Sequence, residues 1–374
     1  MPKLTIDNQQ VEVPEGATVL EAARSIGIEI PTLCHSEGRP ANTSCFVCVV
    51  KVHGRQALAP ACATLAADGM VVESECEEVR AARRTALELL LSDHVGDCDA
   101  PCQIADDLHI HIPRVLRHVA AGNAAAAMAE IQAACPPGTN AADITGERAE
   151  KACRRRQHDA PVAIGAVLRY VLAAAARPPT PKAERKRERG WSVHTGKVSE
   201  EEMRQFLAHV SGAPRVAPAG EVFTAEEATA EAARCLHCDC RAAGDCALQR
   251  WAEAYGAKPA RYRAEQRREV KIAGQPPGVL YEPAKCINCG ICIQVAQEHG
   301  EPLGLTFIGR GFDVRVGPPM GAELRKALTA AAAEAVRSCP TGALAFDETG
   351  EQKPENRSQK SEVRSGDGWN HSQT

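Results

Sequence analysis

No apolar run in this chain approaches the roughly 20 residues that a helix needs to cross a bilayer, so a helical membrane span is not expected. Charge is nearly balanced as well, with a formal net charge of −4. That leaves no reason to expect a nucleic-acid surface or an anionic membrane partner. The opening stretch, MPKLTIDNQQVEVPEG, alternates polar and apolar residues and lacks the charged end and apolar stretch of a secretory leader, so the expected compartment is the cytoplasm. No Gly-x-Gly-x-x-Gly follows a strand pattern, which places any flavin or nicotinamide nucleotide on a partner. No Ser-His-Asp or paired-carboxylate arrangement stands out. By itself the chain is expected to convert no organic substrate.

What the chain does hold is cysteine: 17 of 374 residues. A length of this kind suits two to four domains of about 100–150 residues. In a reducing compartment disulfides are disfavoured, and metal ligation or redox chemistry is the better reading of so many thiols. Their number is odd, and they come in tight groups separated by long gaps.

Cys286, Cys289 and Cys292 follow a C-x2-C-x2-C rhythm, but Ala296 stands where a bacterial ferredoxin would place its next cysteine. Three thiolates at this spacing fit three irons of one cubane, and Cys339-Pro340 is the candidate for the fourth. These four residues are read as ligands of a [4Fe-4S] cluster. Cys34, Cys45, Cys48 and Cys62, spaced C-x10-C-x2-C-x13-C, share the x2 pair and flanking single cysteines of plant-type [2Fe-2S] ferredoxins, with a longer first loop. A third group, Cys235, Cys238, Cys240 and Cys246, suits a second [4Fe-4S] cluster, with zinc as a competitor because Cys235 and Cys238 form an isolated CxxC. His237 within that loop is read as a polar neighbour that tunes potential rather than a ligand. Cys76, Cys98, Cys102, Cys135 and Cys153 remain. Of these, Cys98, Cys102 and Cys153, together with His94, are candidates for a further site with no complete ligand set.

Organisation follows from the patterning. Residues 1–76 read as a hairpin, a helix opened by the Thr18/Glu21 capping box, and further strands, a β-grasp arrangement. Residues 77–176 are helical and rich in alanine, beginning with a helix over 77–93. A proline-rich and charged stretch opens a linker over 177–221. Residues 222–347 combine a second capping box at Thr224/Glu227, a strand-turn-strand over 304–317 and a helix over 323–338. The polar tail, 348–374, is read as disordered. The fold class is therefore α+β and multidomain: an N-terminal β-grasp [2Fe-2S] ferredoxin-like domain, a central α-helical domain and a C-terminal [4Fe-4S] ferredoxin-like domain.

The motifs carry a resemblance. PTLC (31–34), CFVC (45–48) and ACAT (61–64) resemble the N-terminal ferredoxin domain of the large iron–sulfur subunit of respiratory complex I. The same domain occurs in the diaphorase subunits of NAD-linked hydrogenases and formate dehydrogenases. CINCGICIQVAQE, GRGFDV and CPTGAL resemble the next portion of those proteins and imply a cluster on Cys286, Cys289, Cys292 and Cys339. That family also binds a [4Fe-4S] cluster through H-x3-C-x2-C-x5-C. CLHCDCRAAGDCALQ looks like the cysteine half of this motif with two residues inserted, Glu231 standing where the histidine would be and Cys240 as its replacement. His94 and Cys98 keep the H-x3-C start, but the spacing after them departs. CDAPCQIADD and the stretch from Cys153 to Val171 look like the helical cluster-binding domain of the glutamate synthase small subunit. There, further cysteines are expected at positions matching Asp106, Thr145 and Ala149, so the domain here is read as a degenerate docking module.

The expectation is an electron-transfer protein with one [2Fe-2S] and two [4Fe-4S] clusters. It would relay single electrons between a flavin- or NAD(P)-binding dehydrogenase, hydrogenase, formate dehydrogenase or glutamate-synthase-like partner and an acceptor, as a non-catalytic subunit. Two rivals are a self-contained cluster-bearing oxidoreductase and a zinc-stabilised scaffold or redox sensor.

Overall fold

The computed structural model describes residues 1–136, 141–174, 198–208, 210–242, 245–262 and 278–346. Strands β1 (Lys3–Ile6) and β2 (Gln9–Glu12) form a hairpin. Asp7 and Asn8 both take positive φ (46° and 67°), as a two-residue primed turn requires. Helix α1 (Val19–Ser25) starts at Thr18, whose hydroxyl accepts the Glu21 N–H at 3.2 Å while the Glu21 carboxylate accepts the Thr18 N–H at 2.7 Å. This is the capping box expected from the sequence. Strands β3 (Val49–Val52), β4 (Ala59–Pro60) and β5 (Val71–Glu73) complete a sheet of order β2-β1-β5-β3-β4. In it β1 and β5 are parallel and the other pairs antiparallel. Leu4, Ile6, Leu20, Val50 and Val72 fill the space between sheet and helix.

Helix α2 (Glu77–Ser92) leaves the sheet and buries Val79, Leu87 and Leu91. At its centre Arg83 is wholly buried, and its guanidinium donates to the Val49 carbonyl at 2.9 and 3.1 Å and to the Tyr255 hydroxyl at 2.5 Å. It also pairs with Glu75 at 2.6 Å. One side chain thereby ties β3 to α2 and to the C-terminal region. Arg83→Met strands the Val49 carbonyl in a dry interior and is expected to cost about 2–3 kcal/mol. Urea unfolding followed by circular dichroism reads this as an earlier transition; an unmoved midpoint would show the tie to be dispensable.

The helical region contains α3 (Pro101–Ala105), α4 (Ile112–Ala120), α5 (Ala124–Ala134), α6 (Glu147–Lys151) and α7 (Ile164–Ala174). Asn123 separates α4 from α5 and caps the latter, its side-chain oxygen accepting the Ala126 N–H at 2.9 Å. The stretch read as linker holds a helix, α8 (Glu200–Leu207), opened by a Ser199/Glu202 capping box. Met203 and Phe206 of α8 pack with Val95, Leu236 and Ala284, so this part of the chain is a buried strut. Residues 177–197 and the tail 348–374 lie outside the described residues. Helix α9 (Ala225–Ala232) opens at the Thr224/Glu227 capping box as expected. It packs elsewhere than expected. Ala228 and Ala232 present a flat face to Val115, Val119 and Val167, which places α9 in the helical core and not in the last unit.

The last unit comprises α10 (Ala247–Ala254), β6 (Val279–Tyr281), α11 (Ile291–Glu298), β7 (Thr306–Ile308), β8 (Arg315–Gly317), α12 (Leu324–Ala327), α13 (Ala332–Ser338) and β9 (Leu344–Phe346). β6 pairs with β9 and β7 with β8, both antiparallel. The helix expected over 323–338 is broken because the Glu301 carboxylate accepts the N–H groups of Thr329 and Ala331 at 2.6 and 2.8 Å, starting a new helix there. Val295, Leu328, Val336 and Leu344 share a core with Leu33 and Val47 of the first unit. Among the described residues no helix is long and apolar enough to cross a membrane.

Candidate cluster-binding sites

Cys34, Cys45, Cys48 and Cys62 are all buried, in loops that flank β3 and β4. The Cys48 and Cys62 sulfurs lie 3.3 Å apart. A hydrogen bond from Cys45, aided by Ser44, draws the Cys34 thiol down to about 5, and the Cys45 thiol goes up in return. Cys62 likewise brings Cys48 down to about 7, while its own thiol is pushed up by Cys48, burial, Cys34 and Cys45. Four soft donors therefore face one another out of water, the donor set that a [2Fe-2S] cluster takes. Between Cys45 and Cys48, Phe46 holds a φ of 53° and points outward. A non-glycine residue is uncommon in that region.

The Cys286 group also comes together. Cys292 is pushed well up by burial and by Cys289, Cys286 and Cys339, and Cys289 by burial and by Cys339 and Cys286. Cys339 ends α13 in an extended conformation, where Pro340 forbids another helical turn. The Asn288 N–H donates to the Cys286 sulfur at 3.4 Å. This group abuts the first: Asn42 donates to the Cys289 carbonyl at 2.8 Å, and Arg39 donates to the Glu298 carboxylate at 2.8 and 2.9 Å.

The third expected group does not stay together. Cys235 is raised to about 12 by burial, with Cys153 and Asp239 adding and the His237 N–H opposing. Cys102 is raised by burial, Cys235, Cys153 and Cys238, and Cys238 by burial, Cys235 and Cys153 against the pull of Arg154. Cys102 and Cys235 lie in the core of the helical unit, with the half-buried Cys153 and Cys238 packed against it. Cys240 and Cys246 belong on the other side. Burial and Cys240 raise Cys246 to about 12, with Cys339 a further contributor. The Cys240 N–H donates to the Cys98 carbonyl at 3.3 Å, and the Cys240 sulfur rests against Gly342 where no Cβ would fit.

Asp239 divides the two sets. It is buried, and its two carboxylate oxygens each accept from Arg117 at 2.9 Å, which overrides burial and holds its pKa far below the carboxylate range. His237 is half-buried and pushed down to about 3, by desolvation first and then by Arg241 and Arg117, so it stays neutral. Its backbone N–H, a donor that any residue at this position would offer, donates to the Cys235 sulfur at 3.4 Å. Among the described residues no three or more His, Cys, Asp or Glu side chains close on a single-ion site. The grouping rests on the burial and mutual electrostatics of the thiols.

The H-x3-C pair His94 and Cys98 and the C-x5-C pair Cys240 and Cys246 meet at one hydrogen bond, from the Cys240 N–H to the Cys98 carbonyl, and His94 is buried. The helical unit stands between them. Counted from Cys240 rather than from Cys235, this stretch has a C-x5-C spacing without an insertion. Glu231, read as the replaced histidine, is structural. It pairs with Arg234 at 2.8 Å and accepts the N–H groups of Ala163 and Val216, each at 2.7 Å. Asp106 accepts the N–H groups of Ile110 and Leu108 at 3.1 and 3.2 Å and shapes a turn where a cysteine was expected. Cys76 and Cys135 only flank helix ends.

Residues 2–77 match the 2Fe-2S iron–sulfur cluster binding domain family. The chain is 52% identical over 103 residues to the NADP-reducing hydrogenase subunit HndD of Solidesulfovibrio fructosivorans, a match covering 26% of this chain and 18% of that one. It is 48% identical over 98 residues to an NADH-quinone oxidoreductase subunit of Rhizobium meliloti, covering 26% and 12%. The matches span less than a fifth of the length of these relatives. An NAD+-reducing [NiFe]-hydrogenase solved in the H2-reduced state shares the fold, with a TM-score of 0.50 at 21% identity over 94% of this chain and 90% of that one. The likeness to complex I and hydrogenase subunits read from the motifs is borne out, and the first unit is a 2Fe-2S binding domain.

Proposed function

We propose that the chain is an electron-transfer subunit with four iron–sulfur centres, passing single electrons between a flavin- or NAD(P)-binding redox partner and an acceptor. Cys34, Cys45, Cys48 and Cys62 hold a [2Fe-2S] cluster. Three [4Fe-4S] clusters take Cys286, Cys289, Cys292 and Cys339; His94, Cys98, Cys240 and Cys246; and Cys102, Cys153, Cys235 and Cys238. This raises the cubane number by one over the sequence reading and gives the helical unit a centre of its own. The observation that carries the proposal is contiguity. Asn42 joins the first ligand loop to the Cys286 loop, Cys339 acts on Cys246, and Asp239 alone separates Cys238 from Cys240.

Such clusters supply one-electron acceptors and donors whose potentials depend on burial, charge and hydrogen bonds to sulfur. The chain supplies those conditions. The N–H groups of Asn288, His237 and Gln249 point at the sulfurs of Cys286, Cys235 and Cys246 at 3.4, 3.4 and 3.5 Å, favouring thiolate over thiol. Arg154, paired with Asp97 at 2.7 Å, lends positive charge to Cys238. Burial of the four cysteines of the first set, and of Cys98, Cys102, Cys235, Cys240 and Cys289, limits the water that can compete for the metal.

Anaerobically prepared protein is expected to contain about fourteen irons, with one binuclear and three cubane EPR signals after dithionite reduction. About ten irons would return the two-cubane reading. Zinc near stoichiometry without labile sulfide would overturn the proposal, and dye reduction from NAD(P)H by the chain alone would remove the need for a partner.

A further inference from the structure

A cleft of about 640 Å3 opens in the helical unit, and no cysteine lines it. Its walls come from α6, α7, the turn Arg154–Gln157 and the segment 215–218. That volume falls within the range of small-molecule sites. Six charged side chains reach it: Lys151, Arg156, Arg169 and Arg215 against Glu147 and Glu150. The whole chain has a formal net charge of −4, so an excess of two positive charges in one concavity runs against the overall balance.

Pairing inside the cleft leaves that excess on two arginines. Arg215 is taken up by the Glu150 carboxylate and by the Pro161 carbonyl, the latter at 3.3 Å. Lys151 and Glu147 meet only at 4.0 Å and are both largely exposed, a pair of little strength in water. Arg156 donates to the Lys151 carbonyl at 2.6 Å, which fixes its guanidinium without neutralising it. Arg169 has no carboxylate partner among the described residues. Its guanidinium folds back over the first turn of its own helix, where a Cβ on Gly165 would sit 3.6 Å from the Arg169 Nη1. That turn is the positive end of α7, which repels a cation and favours an anion. Gly165 and Ala166 line the cleft, and N–H groups of a first turn find no acceptor in their own helix. The Thr145 carbonyl comes within 2.5 Å of where a Gly165 Cβ would stand, so the loop before α6 lies against this helix start. Like charges brought together in this way call for a negative group between them.

We propose that this cleft binds a phosphate group, free or carried by a small molecule, between Arg156, Arg169 and the first turn of α7. A guanidinium fork matches two phosphate oxygens at once. A phosphate monoester carries about two negative charges near neutral pH, which balances the excess. Ala163, Val216 and Pro218 give the cleft an apolar side on which the rest of an ester can lie. The site draws on none of the cluster assignments and gives the helical unit a small-molecule ligand besides its cysteines.

The test is isothermal titration calorimetry of the intact holoprotein, kept anaerobic and at physiological ionic strength so that diffuse attraction is screened. Inorganic phosphate and ribose 5-phosphate are the two probes. Arg169→Gln and Arg156→Gln are each expected to weaken both probes at least about tenfold, the worth of a hydrogen bond to a charged group. Arg148→Gln removes the same charge from α6, where Arg148 pairs with Asp107 in the open, and should leave affinity within about twofold of native. Tighter binding of ribose 5-phosphate, with the same dependence on both arginines, would assign the site to an ester. Equal affinity would assign it to the free anion. Phosphate should also raise the thermal midpoint of the native protein and leave that of Arg169→Gln where it was. Absence of heat with both probes would overturn the site, and so would equal weakening by all three substitutions, which marks diffuse attraction alone.

Discussion

Cys102→Ala and Cys246→Ala are each expected to remove a cubane EPR signal, and the two signals are different ones. Each variant should lose about four irons and keep the binuclear signal. Cys235→Ala should reproduce Cys102→Ala, and Cys240→Ala should reproduce Cys246→Ala. The reason is the course of the chain through Cys238-Asp239-Cys240. Cys238 acts together with Cys102, Cys153 and Cys235, whereas Cys240 acts on Cys246, with Asp239 locked to Arg117 at 2.9 Å between the two sets. Were the four cysteines of CLHCDCRAAGDC to share one cluster, Cys235→Ala and Cys246→Ala would erase the same signal and Cys102→Ala would erase none. That result would sink the regrouping outright.

Local signals were legible in the sequence because local chemistry decides them. The capping boxes at Thr18/Glu21 and Thr224/Glu227 start helices where their hydrogen bonds require, and the hairpin turns at Asp7-Asn8. The end of α13 at Cys339 was legible too, because the following proline cannot continue a helix. The nearness of Cys102 and Cys153 to Cys235 was not, since proximity in sequence competes there with proximity in space. Cys102 and Cys153 come from segments far from Cys235 in the sequence and meet it in the shared core of the helical unit. The strut α8 was hidden for a related reason. Its two anchoring side chains, Met203 and Phe206, follow a strongly charged and proline-rich stretch whose composition reads as solvated. Glu231 misled by occupying a motif position while serving as the buried partner of Arg234.

Cys339→Ala is expected to abolish the cubane signal of the Cys286 group, with about four irons lost, and to spare the binuclear cluster and the cubane with His94 as a ligand, marked by nitrogen hyperfine coupling. Cys286, Cys289 and Cys292 come from one loop and its following helix, so they stay in place when Cys339 is gone; what is lost is the ligand that α13 carries back to them. This site also stands between its neighbours. Asn42 ties the first group to Cys289 at 2.8 Å, and Cys339 is itself a contributor to the charge environment of Cys246. The variant should therefore show a second defect that no peripheral site would produce. Dithionite, which reaches each centre independently, should still reduce the nitrogen-coupled cubane, while electrons that enter through the binuclear centre should arrive there more slowly. Stopped-flow reduction by each route separates the two cases. Equal rates by both routes would mean that the Cys286 group lies off the path, and unchanged spectra would mean that Cys339 is no ligand.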